Sequence, residues 1–150
     1  MEHFMDASPI LREWRDGGHE NAVELADMLG VPAEAYESDP ISLVPALQGY
    51  VDRLPLTEFE QSDWVTLQAD LTSYLADVLV RRHGASWVID IAPGNPREHR
   101  YVIEAEGLDG AVRRVDPADV ISIEMKEQPI TIIRMLANAE YTLKLTPPIA

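Results

Sequence analysis

The sequence predicts an α+β fold in a single domain spanning 1–150, with N-terminal helices, a three-stranded antiparallel meander and C-terminal helices. Three observations predict it. Apolar residues recur at helical spacing over 8–83, alternate over 86–115, and return to helical spacing over 117–143. The strands cluster instead of alternating with helices, which separates this pattern from a parallel α/β sheet. At 150 residues the chain is long enough to bury roughly 68–70% of the surface it exposes when unfolded.

Each element has a local reason. Ser8-Pro9 reads as an N-cap with proline in the first helical turn. Ile10, Leu11 and Trp14 form the apolar side of that helix, and Gly17-Gly18 is expected to end it. Trp14 is expected to tie this helix to the rest of the fold. A second helix follows from about His19 to Leu29, with Ala22, Leu25, Ala26 and Leu29 on one face and Gly30 just past its end. Asp39-Pro40 and Ser42 compete to open the third helix. Pro45 favours Ser42, because proline is tolerated in a first turn and not beyond it. Leu43, Leu47, Tyr50, Val51 and Leu54 then align, and Pro55 closes the segment.

The fourth helix is the clearest. From around Ser62 to His83, Trp64, Leu67, Leu71, Tyr74, Leu75 and Val78 fall at helical spacing and predict one buried stripe. Asp63 near its start and Arg81, Arg82 and His83 at its end suit the helix dipole, and Gly84 supplies the stop. The period then changes to two. A strand over Trp87–Ile91 leads into the turn Pro93-Gly94-Asn95-Pro96. A second strand covers about His99 to Glu106, with Tyr101, Ile103 and Ala105 on one side and Val102, Glu104 and Glu106 on the other. Gly107-Leu108-Asp109-Gly110 gives a tight hairpin into a third strand over Ala111–Val115. Asp116-Pro117 repeats the cap-and-proline signal. Val120–Met125 alternates like a strand, but the cap favours a helix that turns irregular near Lys126. Pro129 is expected to open a last helix to about Thr142, with Ile132, Ile133, Leu136, Ala139 and Leu143 inward. Pro147-Pro148 marks a frayed tail.

Charge is the most distinctive property of the chain. The net formal charge is −14, and it is unevenly spread. Residues 1–77 hold 16 acids and 3 bases, whereas 81–114 hold 5 acids and 6 arginines. A field of this sign repels phosphate backbones, which argues against nucleic-acid binding, and it attracts basic proteins. No apolar run approaches the roughly 20 residues needed to cross a bilayer, so no membrane association is expected. The acidic start Met1-Glu2-His3-Phe4-Met5-Asp6 does not read as a signal peptide, which predicts a cytoplasmic protein. The scarcity of lysine beside arginine, with many Ala, Asp and Pro, suggests a bacterial, GC-rich coding sequence.

The search for chemistry yields no catalytic, cofactor or metal motif. With 0 cysteines, disulfides, thiolate catalysis and thiolate metal sites are excluded. His3, His19, His83 and His99 stand at no metal-ligand spacing. No serine sits in a nucleophile elbow, and no glycine-rich phosphate loop occurs. The one cluster that invites a site is cationic: Arg97, Arg100, Arg113 and Arg114 on the meander, flanked by Arg81 and Arg82. It is expected either to hold an anion or a partner, or to neutralise Glu98, Glu104, Glu106 and the acidic helices. Neutralisation is the simpler expectation in so acidic a chain.

One segment resembles a known pattern. Tyr74-Leu75-Ala76-Asp77, the basic helix end Arg81-Arg82-His83, Gly84-Ala85-Ser86-Trp87 and the later Val115-Asp116-Pro117 resemble small uncharacterised actinobacterial proteins. Those proteins read Y-L-G-E at the first position, so Ala76 and Asp77 are departures. The resemblance covers about a third of the chain; it implies a bacterial α+β domain and no activity. The expectation is a non-enzymatic interaction module whose acidic helical face binds a basic protein, in the manner of an immunity protein, antitoxin or secretion chaperone. A small-anion-binding protein or enzyme using the meander arginines is the alternative, and a homodimer stays open.

Overall fold

A computed structural model of the chain describes residues 2–91, 94 and 99–147, with side chains from residue 9 onward. Six helices and three strands follow in the order α1 (Glu2–Met28), α2 (Ala33–Ser38), α3 (Val44–Asp52), α4 (Gln61–His83), β1 (Ser86–Ile91), β2 (His99–Glu106), β3 (Val112–Val115), α5 (Pro117–Lys126) and α6 (Ile132–Thr142). Short 3-10 turns at Pro40–Leu43 and Leu56–Glu58 precede α3 and α4. The fold is α+β, as its sequence pattern predicts.

α4 is the spine. Leu67, Leu71, Tyr74, Leu75, Ala76, Val78 and Leu79 are all buried on it, while Trp64 is only half-buried, packed edge-on against Phe59 at 5.0 Å. Its start is closed by a capping box: the Glu60 side chain accepts from the Asp63 N–H, and the Asp63 carboxylate accepts from the Glu60 N–H at 2.9 Å. Its end is Gly84, at φ 67°, a left-handed conformation that glycine enters without steric penalty. α1, α5 and α6 all pack against this helix.

The N-terminal half departs from the expected pattern. The predicted break at Gly17-Gly18 does not occur, and α1 runs unbroken through both glycines and back past Pro9 to Glu2. Two helix-interior glycines cost about 1 kcal/mol each relative to alanine. The apolar face nevertheless stays in phase across them, from Leu11 to Ala22, Leu25 and Ala26, and burying it against α4 outweighs that cost. Ile10, assigned to the apolar side, is exposed. Nor is Ser42 an N-cap. Asp39 caps the 3-10 turn before α3, its carboxylate accepting from Ile41 N at 3.0 Å, while the Ser42 hydroxyl donates to Asp39 O at 2.6 Å and α3 itself starts without a side-chain cap. A short helix, α2, precedes this turn, where no helix is predicted.

The sheet is an antiparallel meander in the order β1-β2-β3. Trp87 pairs with Ile103, Asp90 with Arg100, Glu104 with Arg114 and Ala105 with Arg113. One face carries Trp87, Tyr101, Ile103 and Ala105 toward the helices; the other carries Asp90, Arg100, Glu104 and Arg114, with Val102 buried among the polar positions. Of the predicted turn at 93–96, only Gly94 lies within the described residues. The hairpin from β2 to β3 is held to the C-terminal segment, because Leu108 N donates to Lys144 O at 2.7 Å. A Cβ on Gly107 would stand 2.7 Å from the Leu143 carbonyl oxygen, so that approach requires glycine.

α5 is a helix, capped by Asp116 and opened by Pro117. The last helix begins later than predicted, at Ile132 and not Pro129, because side chains claim the intervening backbone. Gln48 donates to Ile130 O at 2.9 Å and accepts from Ile132 N at 2.8 Å, as a neighbouring strand would. Glu124, 2% exposed, accepts from Thr131 N at 2.8 Å and from Arg134 at 2.6 Å. The shifted start leaves Ile133 exposed, not inward, and buries Met135 with Ile132, Leu136, Ala139 and Leu143. Pro148 of the predicted tail lies outside the described residues.

Candidate functional site

α1 is the element on which the unusual surface features converge. Its inner face is fixed by polar ties as well as by packing. Asn21 Nδ2 donates to Ser73 Oγ at 3.0 Å. His19 Nδ1 lies 3.1 Å from both oxygens of Asp77, and His19 Nε2 faces the Glu37 carboxylate. Asp77 is only 4% exposed and also accepts from the buried Tyr36 hydroxyl at 2.6 Å. Burial raises the Tyr36 phenol far above its usual range, and the hydrogen bond to Asp77 pushes the same way. Arg81 donates to Glu37 O at 2.6 Å and closes the cluster. α1, α2 and α4 therefore meet at one buried carboxylate. This cluster uses its hydrogen-bonding capacity internally, and we read it as structural.

The outer face of α1 is different. At 3.6 residues per turn, Glu13, Asp16, Glu20, Glu24 and Asp27 fall within about 80° of one another, on the side opposite Ala22 and Leu25. All five are exposed. Only Asp16 has an ion pair among the described residues, with its neighbour Arg15 at 3.0 Å. Four of the contacts along this stripe join like charges three or four residues apart. Each such pair destabilises a helix by about 0.2–0.5 kcal/mol. The stripe runs for about 21 Å at 1.5 Å per residue, and its like-charge contacts oppose the isolated fold.

Beside the stripe lies a groove between α1, α4 and β1. It has a volume of about 300 Å³ and is lined by Glu13, Trp14, Gly17, Gly18, Thr72, Ser73 and Trp87. Trp14, 43% exposed, stacks on Tyr101 at 4.7 Å and leans against Trp87 at 5.1 Å. It therefore docks α1 on the sheet while leaving part of its indole open. A Cβ built on either glycine meets nothing within 4 Å. Within the fold, the glycine pair relieves no steric conflict; it keeps the groove open. Thr72 Oγ1 is buried with no hydrogen-bond partner among the described residues. A shallow depression lined by Pro9, Arg12, Glu13, Asp16, Gly17 and Glu20 joins the groove to the acidic stripe.

The meander arginines are dispersed. Arg100 reaches Asp116 and Asp119, each at 3.1 Å, and Asp116 contributes most to raising its pKa. Arg114 bridges Glu104 at 2.8 Å and Asp90 at 3.1 Å across the sheet. Arg113 points from the opposite face and holds Asp109 at 2.6 Å. That hydrogen bond drives the Asp109 carboxyl well below the usual carboxylate range. Arg97 lies outside the described residues. The structure thus brings Arg100 and Arg114 to one face and separates Arg113 from them. Every described member already has a carboxylate partner.

Among the described residues, no three histidine, aspartate or glutamate side chains group so as to hold a metal ion. No helix among the described residues is long and apolar enough to cross a membrane. No family model, no curated protein and no solved structure matches the chain. The resemblance carried by Tyr74–Trp87 and Val115-Asp116-Pro117 therefore rests on those residues alone. The groove was hidden from sequence reasoning because Gly17-Gly18 reads as a helix stop, and the Asp77 cluster because its members are 41 and 58 residues apart.

Proposed function

We propose that this chain is a protein-interaction module whose acidic helical face binds a basic partner, in the manner of an immunity protein, antitoxin or secretion chaperone. One observation carries the reading. Four of the five carboxylates on the outer stripe of α1 form no ion pair among the described residues, although Arg12 lies beside Glu13, while the described meander and C-terminal carboxylates are largely paired within the chain. A stripe that repels itself in the free protein is relieved by a complementary positive surface, and such attraction speeds association and sets orientation. We place the interaction in the bacterial cytoplasm, in keeping with the composition.

The experiment compares the wild-type protein with a variant carrying Glu13→Gln, Glu20→Gln, Glu24→Gln and Asp27→Asn as baits at low and high salt. The reading expects a basic protein retained by the wild type at low salt, lost at high salt and absent from the variant at both. Identical retention by the two baits would end it. The alternative, an anion-binding protein or enzyme built on Arg97, Arg100, Arg113 and Arg114, has less support. An anion at Arg100, Arg113 or Arg114 would have to share the guanidinium with a resident carboxylate.

A further inference from the structure

We propose that the groove between α1, α4 and β1 is a socket for one arginine side chain of the basic partner. The proposal rests on the acidic-stripe reading and adds a specific contact to it. Four features select this occupant. Trp14 lines the groove and keeps part of its indole exposed although it stacks on Tyr101 and leans on Trp87, and indole is the ring type that binds cations best. Glu13 at the rim supplies a carboxylate, and the adjoining depression adds Asp16 and Glu20 against the single cation of Arg12, so the entrance keeps a net negative charge. Gly17 and Gly18 leave open space beside Thr72 and Ser73, where a long unbranched stem can lie. The volume, about 300 Å³, suits a single side chain and not a helix or strand.

An aliphatic or aromatic side chain would fill the same space but leave the Glu13 carboxylate without a counter-charge. Lysine would bring the charge, but as a strongly hydrated point. The guanidinium is planar and weakly hydrated; it stacks on aromatic faces and presents a fork of donors that matches a carboxylate. Aromatic wall, carboxylate rim and open glycine floor together fit arginine better than any other side chain.

Nona-arginine and nona-lysine peptides separate the socket from the stripe, with affinities measured by calorimetry at low salt. The stripe alone attracts both equally. The socket predicts that the wild type binds the arginine peptide about tenfold more tightly, and that the Trp14 indole N–H resonance moves with arginine and not with lysine. Gly17→Leu fills the groove without changing charge or removing a contact. It is expected to reduce the preference to parity while leaving lysine-peptide affinity unchanged. Should Gly17→Leu fail to fold, the wild-type resonance decides. Equal wild-type affinities, an unmoved Trp14 resonance, or a preference that survives Gly17→Leu would overturn the socket. If both peptides bind equally and lose affinity when the stripe is neutralised, the stripe stands and the socket falls. If neither peptide binds, both fall.

Discussion

Tyr36→Phe is the sharpest test of how α1 and α2 are fastened to α4. The substitution removes one atom, the phenolic oxygen that donates to Asp77 Oδ2 at 2.6 Å. Tyr36 is 0% exposed and Asp77 4%, so water cannot replace the lost bond. A hydrogen bond to a charged group contributes about 1.5–3 kcal/mol, and the carboxylate left behind keeps only its His19 contact, which places the cost in the upper half of that range. At about 2–4 °C per kcal/mol for a chain of this size, a loss of about 2–3 kcal/mol lowers Tm by about 4–12 °C. Urea unfolding of wild type, Tyr36→Phe, Asp77→Asn and the double variant completes a cycle. The expected coupling is about 1–2 kcal/mol with an unchanged urea dependence. A loss below about 0.5 kcal/mol for Tyr36→Phe, or two substitutions that simply add, would refute the cluster as the fastening point.

Three further outcomes follow from local geometry. Thr72→Val replaces a buried, unpartnered hydroxyl by a methyl of the same shape and should raise stability by about 1 kcal/mol in urea titrations; a loss would mean the hydroxyl has a partner. Gly107→Ala sets a Cβ 2.7 Å from the Leu143 carbonyl oxygen and should cost about 1–3 kcal/mol, with faster amide exchange at Leu108; wild-type stability would contradict the close approach. Asp70 is half-buried, and burial raises its carboxyl pKa against the opposing hydrogen bond from Asn21. Its folded pKa lies above the unfolded one, so the penalty for its charge is present above the folded pKa and fades as pH falls through the carboxylate range. Asp70→Asn should therefore be more stable than wild type at neutral pH, with the advantage vanishing toward about pH 3; an advantage that grows on acidification would reverse the sign.

The features legible in the sequence were those encoded within one element. α4 was readable because its apolar residues keep helical phase for about four turns from Trp64 to Val78 and its glycine stop is local. The β2 boundaries were readable because alternation there is uninterrupted between turn residues. α5 was readable because Asp116-Pro117 outweighed an alternating run. What escaped was decided by partners distant in the chain. Gly17-Gly18 looked like a stop because nothing nearby reveals that Leu11 and Ala22 bury against the same helix. α2 is only 6 residues long, too short to show a period. The start of α6 is set by Gln48 and Glu124, more than 80 and 7 residues from the backbone they hold. The charge asymmetry was visible at once, but its two halves behave differently. The described meander arginines are paired with Asp90, Glu104, Asp109, Asp116 and Asp119, whereas the α1 carboxylates from Glu13 to Asp27 line up on one face and stay largely unpaired.

That unpaired stripe is the centre of the account, and the salt dependence of binding tests it most directly. The nona-lysine peptide serves as probe, titrated into wild type and into the Glu13→Gln, Glu20→Gln, Glu24→Gln, Asp27→Asn variant across a range of salt concentrations. Screening weakens exposed charge attraction as the Debye length shrinks from about 30 Å at 0.01 M to about 8 Å at 0.15 M salt. The account predicts wild-type affinity that falls steeply with salt, and a variant that binds weakly with a nearly flat dependence. Equal affinity and equal salt dependence in the two proteins would contradict it.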